Sequence, residues 1–186
     1  AYTGAKYCVG LASGLDALWL AFRILGIGAG DEVIVQANTY IASVMGITIN
    51  GATPVFVEPD AFYNVDADRI EEKITDRTKA ILVVHLYGQA SNMQKITELC
   101  KKYDLRLVED DPKIAADMKM YRNYGSEKRY YNKVVGANSR LDELQAGLLR
   151  VRLSHMEELT AERRKLAERY SKEICNDSLI LPTVRE

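Results

Sequence analysis

The sequence predicts an α/β fold, a three-layer α/β/α arrangement with a mainly parallel sheet, on three observations. Short β-branched runs alternate with amphipathic helical stretches through the first two thirds of the chain. The clearest of those runs, AILVVHL, is apolar on both faces, so helices must cover both sides of the sheet. With 186 residues, 47% of them hydrophobic, the chain can enclose one such core but hardly two.

The elements follow in order. YCVGL (7–11) reads as a strand, SGLDALWLAFRILG (13–26) as a helix, DEVIVQ (31–36) as a strand, TYIASVMGITIN (39–50) as a helix and PVFVE (54–58) as a strand. DADRIEEKI (66–74) is helical, KAILVVHL (79–86) a strand, SNMQKITELCKKY (91–103) a helix and LRLVE (105–109) a strand. Gly, Pro, Asn and Asp punctuate the runs, as βαβ units require. From Ser139 to about Ile174 one helical pattern continues, with Leu141, Leu144, Leu148, Met156, Leu159, Leu166 and Tyr170 as its apolar positions. At ~1.5 Å per residue that helix is roughly 50 Å long, so it must bend or bridge to another domain. Its charged sector is expected to be a solvated face with local pairs such as Glu168 and Lys172. Residues 1–138 are thus expected to form the main α/β domain, and 139–186 a long helix with the start of a link to a second one, LILPTVRE being its first strand or linker.

A net charge of −1 supplies no basic field for nucleic acid, and no Lys/Arg run suggests a membrane surface. Cys8, Cys100 and Cys175 are widely spaced and unpatterned, which fits reduced thiols, a cytoplasmic location and no metal site. No stretch is apolar enough to cross a bilayer, and AYTGAKYCVG has neither a signal peptide's pattern nor an initiating Met. The chain is therefore expected to be a piece of a longer protein.

Ligands of open parallel sheets sit beyond the C-terminal strand ends. Ser13-Gly14-Leu15 follows the first strand and opens a helix, where free N–H groups and the helix dipole suit a phosphate; an ordinary Ser13 N-cap explains the same residues. Tyr40, at the start of the next helix, can stack on a flat ligand or simply fill space. His85, alone at a strand end, reads as a hydrogen-bonded structural residue. LRLVE runs into Asp110 and Asp111, and a carboxylate there would pair with a protonated heterocyclic nitrogen; alternatively it caps a helix begun by Pro112. Ser139 with Asp142 resembles a capping box, and Asn138 precedes it.

Together, CVGLASGLDALWLAFRILGIGAGDEVIVQANTYIAS, GATPVFVEPD, VVHLYGQ, LVED, MYRNYGS and NSRLDELQAGLLRVRL closely resemble the DegT/DnrJ/StrS sugar aminotransferases. The resemblance covers essentially the whole chain. It implies the large domain of a fold type I enzyme dependent on pyridoxal 5'-phosphate (PLP), which moves an amino group from glutamate to a ketone on a nucleotide-linked sugar. ANTYIAS with HLYGQ is most similar to members acting at C3 of a dTDP-linked 6-deoxy sugar. The resemblance implies that amides around Ser13, Gly14 and Leu15 hold the phosphate, that Tyr40 covers the ring and that Asp110 pairs with the ring nitrogen. Asn138 would reach the phosphate in a neighbouring subunit, which implies a homodimer with shared sites.

One departure matters. Family members carry several dozen residues between the VED acid and the helix leading to RNYG, including the Schiff-base lysine, and LVED here runs straight into DPKIAADMKMYRNYG. Lys113 does not match that lysine. Two explanations arise: a natural protein that has all the parts, of which this sequence is a portion, or a real deletion. The first is expected, because an excision would expose strand edges and apolar surface. A sugar dehydratase of the same family, with His in place of the lysine, and a non-catalytic ligand-binding relative are the alternatives.

Overall fold

A computed structural model describes residues 8–109, 126–128, 131–132 and 136–175. Four parallel strands form the central sheet: β1 (Glu32–Gln36), β2 (Thr53–Val57), β3 (Thr78–Leu82) and β4 (Arg106–Val108), in the order β2-β1-β3-β4. Three helices cover it: α1 (Gly14–Ile24), α2 (Ile41–Thr48) and α3 (Met93–Tyr103).

Period-two alternation divides the strand residues between two cores. Val33, Val35, Ala80, Leu82 and Val108 join Ala21 and Phe22 of α1 and Ile47 of α2 on one face. Ile34, Val57 and Ile81 join Ile96, Leu99 and Cys100 of α3 on the other, with Val65, Ala67 and Ile70 from the β2–β3 connection. All five residues of β1 are buried, as a central parallel strand requires. Burial among apolar neighbours pushes the Cys100 thiol up to about 11, so it is a protonated packing group. The three-layer expectation holds, with one helical layer on each side of the sheet.

Three local expectations need correction. Cys8 to Leu11 are not a strand: no strand among the described residues pairs with them, and an unpaired strand has no ladder. Residues 66–74 hold turns and one short 3-10 turn, Glu71–Lys73, in place of a helix. The Asp66 side chain accepts from the Asp68 N–H, which competes with helical bonding, and α3 anchors the segment through Lys95 to Asp68 and Lys102 to Glu71. The strand expected over 79–86 runs only from Thr78 to Leu82, since the chain must turn to place His85.

The long helix is two: α4 (Glu143–Ser154) and α5 (Met156–Glu173). His155, with φ −105° and ψ 9°, ends one and starts the other, and the Ser154 hydroxyl is turned back onto the Val151 carbonyl. Along α5 Arg169 pairs with Glu173, one turn on, in a local ion pair of the kind expected. Residues Leu141–Val184 separate from Ala1–Arg140 as a compact unit of their own. Within that second unit Leu141, Leu149, Leu153, Met156 and Leu159 line a hollow of about 490 Å³. A small antiparallel pair, β5 (Ser126–Lys128) with β6 (Tyr131–Asn132), was not expected from sequence. The Pro112 helix and the LILPTVRE strand lie outside the described residues.

Candidate functional site

Each strand of the sheet delivers its loop to the same C-terminal rim, and side-chain hydrogen bonds lace those loops together in strand order. After β1, the Asn38 amide donates to the Tyr63 carbonyl of the β2 loop at 3.0 Å. Within that loop Asp60 accepts from the N–H groups of Phe62 and Asn64 and closes a tight turn. Asn64, fully buried, donates to the Gln89 carbonyl and accepts from the Leu86 N–H, both at 3.2 Å, which ties the β2 loop to the β3 loop. His85 completes the series: its Nδ1 accepts from the Ser91 N–H at 3.1 Å, so Nε2 carries the proton and donates to Glu109 at the end of β4 at 2.5 Å. Reading His85 as a hydrogen-bonded structural residue therefore agrees with its geometry.

Two rim tyrosines hold strained backbone. Tyr63 and Tyr87 have φ of 66° and 56°, a region that costs a non-glycine residue of order 1 kcal/mol or more, and their rings meet edge to face at 5.9 Å. Tyr87 and Tyr40 nevertheless leave their rings largely in solvent, 78% and 75% exposed, a poor use of aromatic surface unless something lies on it. Deep in the rim, the buried Gln36 Oε1 at the end of β1 has no hydrogen-bond partner among the described residues, although its Nε2 donates to Asn38.

Asn64 supplies a stability prediction. Asn64→Ala removes both ties between the β2 and β3 loops and leaves the Leu86 N–H with the Val84 carbonyl alone, so a loss of about 1 kcal/mol or more is expected in urea denaturation. Asn64→Asp keeps the acceptor for Leu86 but sets a buried carboxylate oxygen against the Gln89 carbonyl, so it should lose at least as much; a smaller loss than in Asn64→Ala would mean that the bond to Gln89 contributes little.

The α1 N-terminus reaches the same end of the sheet, because a short turn at residues 25–31 reverses the chain between α1 and β1. Ser13 is the N-cap, and its hydroxyl accepts from the Asp16 N–H at 3.1 Å. The N–H groups of Gly14 and Leu15 take no partner among the described residues, and nothing lies within 4 Å of where a Gly14 Cβ would stand. Asp16 turns its carboxylate sideways: Oδ1 accepts from Trp19 Nε1 at 2.9 Å and Oδ2 from the Ser139 hydroxyl at 3.0 Å. Burial pulls that carboxyl up, but the Trp19, Ser139 and Ser13 side chains outweigh it and hold it below its ordinary value.

Ser139 is itself buried and accepts from the Ala12 N–H at 3.2 Å. The capping-box expectation at Ser139 is thus overturned: Asp142 caps α4 by accepting from the Leu144 N–H, while Ser139 is spent on the α1 turn. Asn138, beside it, is exposed and accepts from Arg140 Nε. The structure therefore brings the Asn138–Ser139 turn to Ser13 and Asp16 of α1, leaves Tyr40 open on the rim, and does not describe Asp110. Sequence reasoning misses Asp16, Trp19 and Asn64, although Ser13-x-x-Asp16 has the same spacing as Ser139 with Asp142.

Residues 1–113 and 108–183 match the family model described as "DegT/DnrJ/EryC1/StrS aminotransferase family". The chain belongs to this family. Its two matched pieces meet where LVED joins DPKIAAD. The dTDP-3-amino-3,6-dideoxy-alpha-D-galactopyranose transaminase of Aneurinibacillus thermoaerophilus is 44% identical across 100% of this chain and 63% of its own length. That alignment runs over 229 positions, against the 186 residues of this chain. Among solved structures, S. venezuelae DesV in complex with a ketimine intermediate superposes with a TM-score of 0.89, at 36% identity over 96% of this chain and 60% of that one. NtdA from Bacillus subtilis with bound cofactor PMP gives a TM-score of 0.81, at 29% identity over 91% of this chain and 49% of that one. The chain thus spans less than two thirds of the length of these family members.

Proposed function

We propose that this chain is the cofactor-binding part of a PLP-dependent aminotransferase that takes an amino group from glutamate and gives it to a nucleotide-linked ketosugar, at C3 of a dTDP-linked keto-6-deoxyhexose. The observation that carries it is the pair of free amides, Gly14 and Leu15, opening a helix at the laced rim of a parallel sheet. Open space over Gly14, the unpartnered Gln36 Oε1 and the uncovered Tyr40 ring are what an aromatic phosphate ester needs, so the residues present fit the cofactor. The A. thermoaerophilus relative, named for a dTDP-3-amino sugar, supports the substrate class.

When bound, PLP supplies an electron sink for the carbon that carries the migrating amino group. The chain's own residues do the rest. Ser13, Gly14 and Leu15 donate to the phosphate, and the dipole of α1 favours its charge. Tyr40 covers the ring and excludes water from one face. Asp110 keeps a proton on the ring nitrogen. Asn138 belongs to the phosphate site of a neighbouring copy, which makes the enzyme a homodimer. The Schiff-base lysine belongs to a segment that this sequence lacks, between Asp110 and the stretch leading to RNYG. Among the described residues no helix is long and apolar enough to cross a membrane and no metal-binding cluster occurs.

The protein purified from its source, with the lysine-bearing segment that the proposal requires, is given PLP, glutamate and the dTDP-linked 3-ketosugar, and 2-oxoglutarate and the amino sugar are measured by mass. Both products are expected; glutamate left unconsumed sinks the proposal. Borohydride reduction before intact-mass analysis decides the second reading, which the lost segment favours. A protein of this exact 186-residue mass that takes no pyridoxyl group is a non-catalytic binding relative.

A further inference from the structure

Asp16 poses a problem for the proposed phosphate site, and the role given below to Ser139 rests on that site. Asp16 occupies the third helical position of α1, from which a carboxylate can reach back toward the N-cap N–H, beside the Gly14 and Leu15 donors that a phosphate needs. Its charge would also repel the anion. The fold occupies both carboxylate oxygens elsewhere, Oδ1 with Trp19 and Oδ2 with Ser139. The second contact is built with care: Ser139 is 2% exposed, and because its oxygen already accepts from the Ala12 N–H, its proton goes to Asp16.

We propose that Ser139 is a positioning residue for anion binding: it latches the Asp16 carboxylate against the side of α1 and so keeps the Gly14 and Leu15 amides free for a phosphate. Ser139 touches no part of the ligand. It acts only through Asp16, and the Asn138–Ser139 turn is thereby coupled to cofactor affinity. A residue that merely docked the turn would lack this dependence on a charge.

The test uses the full chain without cofactor, titrated with inorganic phosphate by calorimetry. The emission of Trp19 is followed in parallel, since it is the single tryptophan and bonds to the latched carboxylate. Ser139→Ala is expected to weaken phosphate binding roughly fivefold, the size of a helix-terminus charge effect. Ser139→Ala with Asp16→Asn should return to the unaltered affinity, because the side chain set loose no longer carries charge. Asp16→Asn alone, which keeps an oxygen for the indole, should bind phosphate at least as tightly as the unaltered chain, and this variant serves if Ser139→Ala does not fold. Unchanged binding in Ser139→Ala, a double variant as weak as the single one, or weaker binding by Asp16→Asn overturns the latch while leaving the phosphate site standing. No phosphate binding by the unaltered chain removes the site, and the latch with it.

Discussion

Gly46→Val is expected to destabilise the α/β unit by about 3 kcal/mol, a large stability loss for one buried substitution. Gly46 lies in α2 where it crosses α1, and a Cβ built on it would stand 2.6 Å from the Leu18 Cβ and 3.4 Å from the Trp19 nitrogen. Neither neighbour is a flexible tip that can swing aside. The helices must separate, which loosens Phe22 and Ile47, both fully buried in the core beneath them. Overpacking of this kind costs about 1–3 kcal/mol, and the few tenths of a kcal/mol of helix propensity that valine gains over glycine do not offset it. Gly147→Ala in α4 is the internal control: nothing lies within 4 Å of its added Cβ, so it should gain up to about 1 kcal/mol of helix stability. Urea denaturation of the two variants checks the contrast. A Gly46→Val protein as stable as its parent would mean that α1 and α2 do not cross so closely.

What could be read in the residues depended on how local the cause was. β1 to β4 and α1 to α3 were legible because burial on both faces of a parallel sheet leaves continuous apolar runs, and amphipathic helices must sit between them. The segment over 66–74 misled because Ile70 and Ile74 have helical spacing, while what decides its backbone is the Asp66 side chain and two lysines of α3, remote in sequence. The break at His155 had no glycine or proline to announce it. Cys8 to Leu11 had a strand's composition, but a strand exists only with a partner.

The site divides the same way. Gly14 and Leu15 at a helix start, and Tyr40 and His85 at strand ends, follow from position along the chain. Ser139 on Asp16, a contact 123 residues long, does not, and neither does the lacing of the loops by Asn38 and Asn64. The rim is rigid for a reason that its sequence hides: amides and an imidazole in successive loops each find the next loop's backbone or carboxylate. Such lacing suits the planar ligand that we propose for this rim, which must be held in one orientation.

Asp110→Asn should lower turnover of the active enzyme by roughly 10²–10³-fold, the usual cost of removing one preorganised electrostatic partner. LVED closes β4 with a pair of acids of different fate. Glu109 is already committed, since its carboxylate accepts from His85 Nε2 and so joins β4 to the β3 loop. Asp110 lies outside the described residues, and the counter-ion of the ring nitrogen is the role we assign to it. An asparagine there retains size and hydrogen-bonding capacity but cannot hold a proton on that nitrogen, so the ring withdraws electrons less strongly at the one moment when withdrawal matters. Folding has no stake in that proton, and the urea midpoint of Asp110→Asn should match its parent. Glu109→Gln should do the reverse, losing about 1 kcal/mol of stability with the His85 contact while keeping most of its turnover. Turnover unchanged in Asp110→Asn, with a lowered midpoint, would make Asp110 a helix cap for the segment beginning at Pro112 and would leave the ring nitrogen without a partner in this chain.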